Sequence, residues 1–319
     1  MEKNMSSQPI QFFHRGEVVS VSDAHTTRSV LDWLREDAHC IGTKEGCNEG
    51  DCGACTVVIG ELAADVNDGD AGNVGGLNLR SVNACIQFLP TLHGKALFTV
   101  EDLKSPDTQA LHPVQQAMVE CHGSQCGFCT PGFVMTLWST YQRSQAAGTT
   151  PSRQALADEL SGNLCRCTGY RPILDAGERM FDFPAARLNT APAVAALMSL
   201  KSDSTFSYQA PNPQAQGRID HFHAPKTLAA LATLRLDKPN AQLLAGSTDM
   251  GLWVNKQFRD LGDIIYLGDV TELKQITATN DELFIGAVAT LEAAWRALAQ
   301  HSAGLTDVWL RFEIGRAHV

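Results

Sequence analysis

The chain has 319 residues, 44% of them hydrophobic and 19% charged, with 25 basic residues against 35 acidic ones and a formal net charge of -10. That length allows two or three domains, and that composition supports a packed core and excludes wholesale disorder. The acidic balance argues against nucleic acid as a partner, because a phosphate-binding surface needs clustered Lys and Arg.

Residues 1–10 hold no long apolar stretch of the kind a secretory leader needs, and no uncharged run reaches the length of a membrane span. A cytoplasmic chain without membrane contact is expected. Ten cysteines in a reducing compartment point to metal or redox chemistry rather than disulfides.

Residues 9–98 open with two alternating stretches, Ile10 to His14 and Glu17 to Val21, joined by Arg15-Gly16 as a hairpin. Thr27 to Glu36 carries apolar residues at Val30, Leu31, Trp33 and Leu34 and predicts a short helix with one buried face. A glycine-punctuated loop, Gly42 to Ala54, precedes a strand over Cys55 to Ile59, and Asp65 to Gly76 reads as a surface excursion. Residues 99–185 read as helical, with candidates at His112 to Cys121, Pro131 to Gln142 and Gln154 to Leu160. Residues 186–216, rich in Ala, Pro, Ser and Asn, read as a linker. From residue 217 the chain alternates helix and strand, as in an α/β domain.

The cysteines fall into two groups. Cys47-x4-Cys52-x2-Cys55 with Cys85 downstream has plant-type ferredoxin spacing. Three thiolates must converge from one loop, and Gly46, Gly50 and Gly53 permit the backbone angles and close approach this demands. Backbone N–H groups of such a loop can point at sulfur and tune the potential. The second group is ambiguous. Cys121-x4-Cys126-x2-Cys129 repeats the same spacing, whereas Cys126-x2-Cys129 with Cys165-Arg166-Cys167 forms two pairs. Cys165 and Cys167 cannot face one site from a helix, where two residues advance by about 200°, but they can from a turn. Cys121 also reads as a small buried hydrophobe at a helix end. Zinc is the rival metal for two cysteine pairs.

The stretches Cys47-Asn48-Glu49-Gly50-Asp51-Cys52-Gly53-Ala54-Cys55-Thr56 and Arg80-Ser81-Val82-Asn83-Ala84-Cys85 resemble the cluster-binding segments of the xanthine dehydrogenase family of molybdenum hydroxylases. So do Gly123-Ser124-Gln125-Cys126-Gly127-Phe128-Cys129-Thr130-Pro131-Gly132 and Gly162-Asn163-Leu164-Cys165-Arg166-Cys167-Thr168-Gly169-Tyr170-Arg171-Pro172, in the family's order. The resemblance implies an α+β multidomain chain: a β-grasp [2Fe–2S] ferredoxin domain, a four-helix [2Fe–2S] domain, and a partial α/β FAD-binding domain of PCMH-like type. It assigns Cys47, Cys52, Cys55 and Cys85 to one cluster and Cys126, Cys129, Cys165 and Cys167 to the other. Cys40 and Cys121 stay unligated, and Gln125 matches a position that touches the pterin of a molybdenum cofactor held elsewhere.

Residues 217–312 resemble the family's flavin domain from His221-Phe222-His223-Ala224-Pro225 onward. Leu243, Leu244, Ala245, Gly246, Ser247, Thr248, Asp249 and Met250 match its first FAD-binding loop. Read physically, the loop is a strand ending in a glycine turn, with hydroxyls and N–H groups available to phosphate oxygens. Ile285-Gly286-Ala287 matches a later strand region. A second flavin loop is expected shortly after Arg311-Phe312 and is not in this sequence, so the FAD site is expected to be incomplete. Residues 313–319, Glu313 to Val319, resemble a reading frame of a sequencing adapter and are expected to be artefactual.

The implied activity is electron transfer. A purine is hydroxylated at a molybdenum–pterin cofactor on a large partner subunit, with water supplying the oxygen. Electrons then pass through the helical-domain cluster and the ferredoxin-domain cluster to FAD and NAD+. No residue reads as a general acid, base or nucleophile. Relatives acting on aldehydes, carbon monoxide or other N-heterocycles share these domains, and a zinc-binding scaffold without catalysis is the rival of another class.

Overall fold

The computed structural model describes residues 7–63, 73–104 and 110–312, with the side chains of 310–312 left aside. Most of the expected excursion after Asp65 and all of the expected artefactual tail lie outside the described residues.

The first unit is a six-stranded sheet built from β1 (Ile10–His14), β2 (Glu17–Val21), β3 (Thr56–Leu62), β4 (Asn73–Val74), β5 (Leu77–Asn83) and β6 (Ala96–Phe98), in the order β2-β1-β6-β3-β5-β4. The expected hairpin forms, pairing Ile10 with Val21 and His14 with Glu17. The strand expected over Cys55 to Ile59 begins at Thr56 and continues to Leu62, paired along its length with β5. The helix expected over Thr27 to Glu36 is shorter: α1 (Val30–Asp32), capped by the Ser29 hydroxyl, widens into a π-helical turn over Trp33–Asp37. It buries the four apolar residues read from the sequence, and Trp33 meets Phe12 edge-on at 5.0 Å.

The apolar run of β3 follows from burial on both faces. Val57 and Ile59 enter one core with Phe12 and Leu97, whereas Val58 enters another with Phe13, Ala96 and Phe98. The second core belongs to four helices, α2 (Pro113–Glu120), α3 (Thr130–Ala147), α4 (Arg153–Glu159) and α5 (Arg171–Arg179). The central α3 is buried along most of its length and sets Trp138 5.5 Å from Phe98.

The first core continues into a third unit. Its sheet runs β7-β8-β10-β9, from β7 (Phe206–Pro211), β8 (Ile219–Ala224), β9 (Gln242–Leu244) and β10 (Ile264–Tyr266). The pair β7/β8 is antiparallel and the others are parallel, with crossovers α7 (Leu228–Asp237) and α8 (Met250–Asn255). A hairpin, β11 (Ile276–Ala278) and β12 (Leu283–Ile285), precedes α9 (Leu291–His301) and α10 (Thr306–Phe312). Phe206, Tyr208, Phe222, Leu244, Met250 and Ile264 share one buried cluster with Phe12, Val57 and Leu97 of the first unit.

The segment 186–216, expected as a linker, is structured. It holds α6 (Ala191–Leu200), whose Ala193 and Leu197 enter the helical core, and the edge strand β7. Its Ala- and Pro-rich composition fits a helix with Pro at its start and an edge strand that ends on Pro, where no inward ladder donor is lost. Among the described residues, no helix is long and apolar enough to cross a membrane.

Candidate metal centres and flavin loop

The loop 42–55 and the end of β5 bring Cys47, Cys52, Cys55 and Cys85 together. The backbone does much of this. The N–H groups of Asp51 and Cys52 reach the Cys47 sulfur at 3.4 and 3.3 Å, and Gly50 N–H reaches the Cys85 sulfur at 3.3 Å. Asn83 Nδ2 donates to Gly50 O at 2.7 Å and ties the loop to the strand that delivers Cys85. Burial alone would raise the Cys47 thiol, but the N–H groups of Cys52, Glu49 and Asp51 outweigh it and hold it low, favouring the thiolate a metal needs. Cys55 and Cys85 are 2% and 1% exposed and share a sulfur hydrogen bond, which lowers Cys55 and, with burial, raises Cys85. Two thiolates so enclosed stay charged together only with a cation between them. The close approach is also local: a Cβ on Gly46 would stand 2.8 Å from the Cys52 sulfur.

The second set is more open. Cys129 caps α3, and Cys165 and Cys167 lie in the irregular segment between Gly162 and Arg171, so the helix geometry that would have separated them does not apply. Cys126 and Cys167 are exposed, with sulfurs 3.7 Å apart, and Cys129 pairs with Cys165. Burial and the Cys165 thiol push Cys129 up to about 12. Burial would also raise Cys165, but the Thr168 backbone and hydroxyl, with Cys129, outweigh it; Thr168 N–H lies 3.3 Å from the sulfur. Tyr170 Oη accepts from Cys165 N–H at 2.9 Å and holds the turn. Cys121 caps α2 beside Asp175, Arg179 and Glu120, and Cys40 is buried 3.7 Å from His14 Nε2. Neither has a cysteine beside it in these contacts.

In both sets the sulfurs group two by two, as two thiolates on each of two irons require. Among the described residues, no three His, Cys, Asp or Glu side chains gather about one point as ligands of a single ion do.

The two loops touch. Leu164 N–H donates to Cys52 O at 2.9 Å, one residue before Cys165. Asn163, 3% exposed, donates to Gly53 O at 3.0 Å and Thr56 Oγ1 at 3.1 Å and accepts from Thr136 Oγ1 at 2.7 Å. Gly53 is required here: its φ is +68°, and a Cβ would run into the Gly162 carbonyl. Asn163 lies within the stretch Gly162 to Pro172, but cysteine spacing carries no sign of its bonds.

The predicted flavin loop leaves the carboxyl end of β9, the end where open parallel sheets bind ligands. Leu244 and Met250 anchor it in the core, while Leu243, Gly246, Thr248 and Asp249 are exposed and Ala245 is half-buried. Ser247 has a φ of +66°, is 4% exposed, and its hydroxyl has no hydrogen-bond partner among the described residues. A buried hydroxyl left unpaired costs roughly 1–3 kcal/mol, so it suits a ligand oxygen as partner. Ile285, half-buried, ends β12 rather than opening a strand, and Gly286 follows it outside the strand with its backbone packed against Leu273.

Three family models match in order. A 2Fe-2S iron-sulfur cluster binding domain covers 12–88, a [2Fe-2S] binding domain 99–178, and an FAD binding domain in molybdopterin dehydrogenase 215–312. Aldehyde oxidase 2 of Rattus norvegicus is 30% identical over 339 residues, covering 95% of this chain and 24% of that protein. Xanthine dehydrogenase of Drosophila pseudoobscura pseudoobscura is 30% identical over 325 residues, covering 91% and 23%. The chain thus spans about a quarter of the length of these curated relatives. A solved quinoline 2-oxidoreductase from Pseudomonas putida 86 is 31% identical, with 61% of this chain and 98% of that one covered and a TM-score of 0.42.

Proposed function

This chain belongs to the molybdenum hydroxylase family, whose two iron–sulfur domains and flavin domain it carries in order, and we propose that it is the electron-transfer portion of a xanthine dehydrogenase. The observation that carries the proposal is the contact of two four-cysteine sets through the Leu164 N–H and Cys52 carbonyl. Cys47, Cys52, Cys55 and Cys85 would hold one cluster, and Cys126, Cys129, Cys165 and Cys167 the other. Bound there, the clusters supply one-electron acceptance and release, and FAD supplies the junction to two-electron chemistry.

The protein's own residues set the order. Exposed Gln125, Cys126 and Cys167 face outward, toward a molybdenum–pterin site on a partner. Cys55 and Cys85 lie inside, where burial excludes water and N–H groups stabilise sulfur charge. Residues 243–250, with Ser247 Oγ as an inward acceptor and donor, form the flavin side, and NAD+ is the proposed final oxidant.

The test pairs the enzyme complex with its substrates. Xanthine-dependent NAD+ reduction supports the proposal. Turnover on aldehydes alone supports a second reading, aldehyde oxidation, which the similarity to aldehyde oxidase 2 favours equally by identity. Colourless protein that holds zinc and no iron rejects both.

A further inference from the structure

Helix α8 begins where the flavin loop ends, and it closes on Asn255. Asn255 Nδ2 lies 2.8 Å from Cys85 O, 3.2 Å from Asn48 O and 3.2 Å from Asn48 Oδ1. Two of these are backbone carbonyls, which can only accept, so the amide must present its NH2 side. Asn48 lies between Cys47 and Cys52, while Cys85 follows β5. One side chain of the third unit therefore ties together both segments that deliver the first cysteine set.

The contact is tightly built. A Cβ on Gly251 would stand 2.6 Å from Ile86 Cβ and 2.8 Å from Ile86 O, so α8 presses its backbone on the residue beside Cys85. One residue beyond Asn255, Lys256 Nζ pairs with Glu49 Oε2 at 2.9 Å. The flavin loop and the cysteine loop are thus braced against each other through six residues of helix.

We propose that Asn255 is a positioning residue for the ferredoxin-domain cluster, setting both its potential and its place beside the flavin loop. The proposal rests on the two-cluster reading. Its N–H dipoles point their positive ends at the Cys85 and Asn48 carbonyls. They therefore stabilise the added negative charge of the reduced cluster and raise its potential. Loss of the donor lowers the potential; a carboxylate in its place lowers it further, because it adds charge and meets two carbonyls.

The experiment uses the full chain reconstituted with iron and sulfide, titrated with dithionite and followed by electron paramagnetic resonance. Asn255→Asp should change the reduced-to-oxidised ratio of one cluster about tenfold at fixed potential, which for a one-electron couple is about 59 mV downward. Asn255→Ala should move the same signal the same way by less, Asn255→Gln should return it toward the parent, and the other signal should stay. Both signals unmoved in Asn255→Asp, both moved equally, or a cluster lost in Asn255→Ala that Asn255→Gln does not restore would each overturn it. A parent chain lacking two distinct signals brings down the two-cluster reading itself, and that failure is visible before any variant is made.

Discussion

The two cysteine sets use related loops in opposite settings. The first is sunk between sheet and third unit, with Cys55 and Cys85 almost wholly buried and Asn83 and Asn255 bonded around it. The second lies at the end of the helical unit, with Cys126 and Cys167 exposed. In the first set directed N–H groups stabilise charge on sulfur against the cost of burial, whereas in the second exposure leaves a face for a neighbour. On the proposed electron-transfer reading, the buried set would serve as the interior relay and the exposed set as the entry point.

The largest effects should come from the sulfurs. Cys52→Ser should remove one cluster and Cys165→Ser the other, each leaving about two irons per chain, whereas Cys121→Ser should leave about four. Iron analysis with electron paramagnetic resonance reads this directly. Loss of iron in Cys121→Ser would break the pairing and restore the plant-type spacing for the second set.

Next comes the joint between the sites. Gly53→Ala places a Cβ against the Gly162 carbonyl at a left-handed φ of +68°, so it strains both loops at once. A cost of about 2–4 kcal/mol is expected, lowering the melting temperature by roughly 2–4 °C per kcal/mol. Melting unchanged within a degree would show the two sites to be independent.

The smallest effect separates the regions by pH. His112 in the helical unit and His223 in the third are each held down to about 4, chiefly by burial. His112 Nδ1 accepts from Val114 N–H at 3.2 Å, so a proton there would displace the cap of α2. The unfolded chain takes up these protons near pH 6.5 and the folded chain only near 4. Stability is therefore complete above the unfolded value and is lost as pH falls through that window, on the order of 1–3 kcal/mol for each histidine. His112→Gln should flatten the acid side of a denaturant-midpoint profile between pH 7 and 4.5. An unaltered slope would place the sensitivity elsewhere.

Much of the cysteine chemistry is legible in the chain itself, because a loop that wraps a cluster is local: Cys47, Cys52 and Cys55 lie within nine residues, with Gly50 and Gly53 at positive φ between them. Local signals also placed the hairpin, α2, α3 and α4, since turns and caps act over a few residues. The structured segment 191–211 was not legible, because an edge strand and an alanine-rich helix gain their stability from neighbours distant in sequence. The same holds for Lys95, buried 2.7 Å from Glu61 and 3.1 Å from Tyr266 Oη, which pairs the first unit with the third. By itself the sequence determined which residue types could hold metal, where the loops begin, and the order of the units. Only the tertiary structure decided that one set lies inside and the other at the surface, and that Asn163 and Asn255 bind carbonyls 110 and 170 residues away. Spacing encodes what neighbours along the chain can do, whereas burial and long-range hydrogen bonds exist only once the chain has packed.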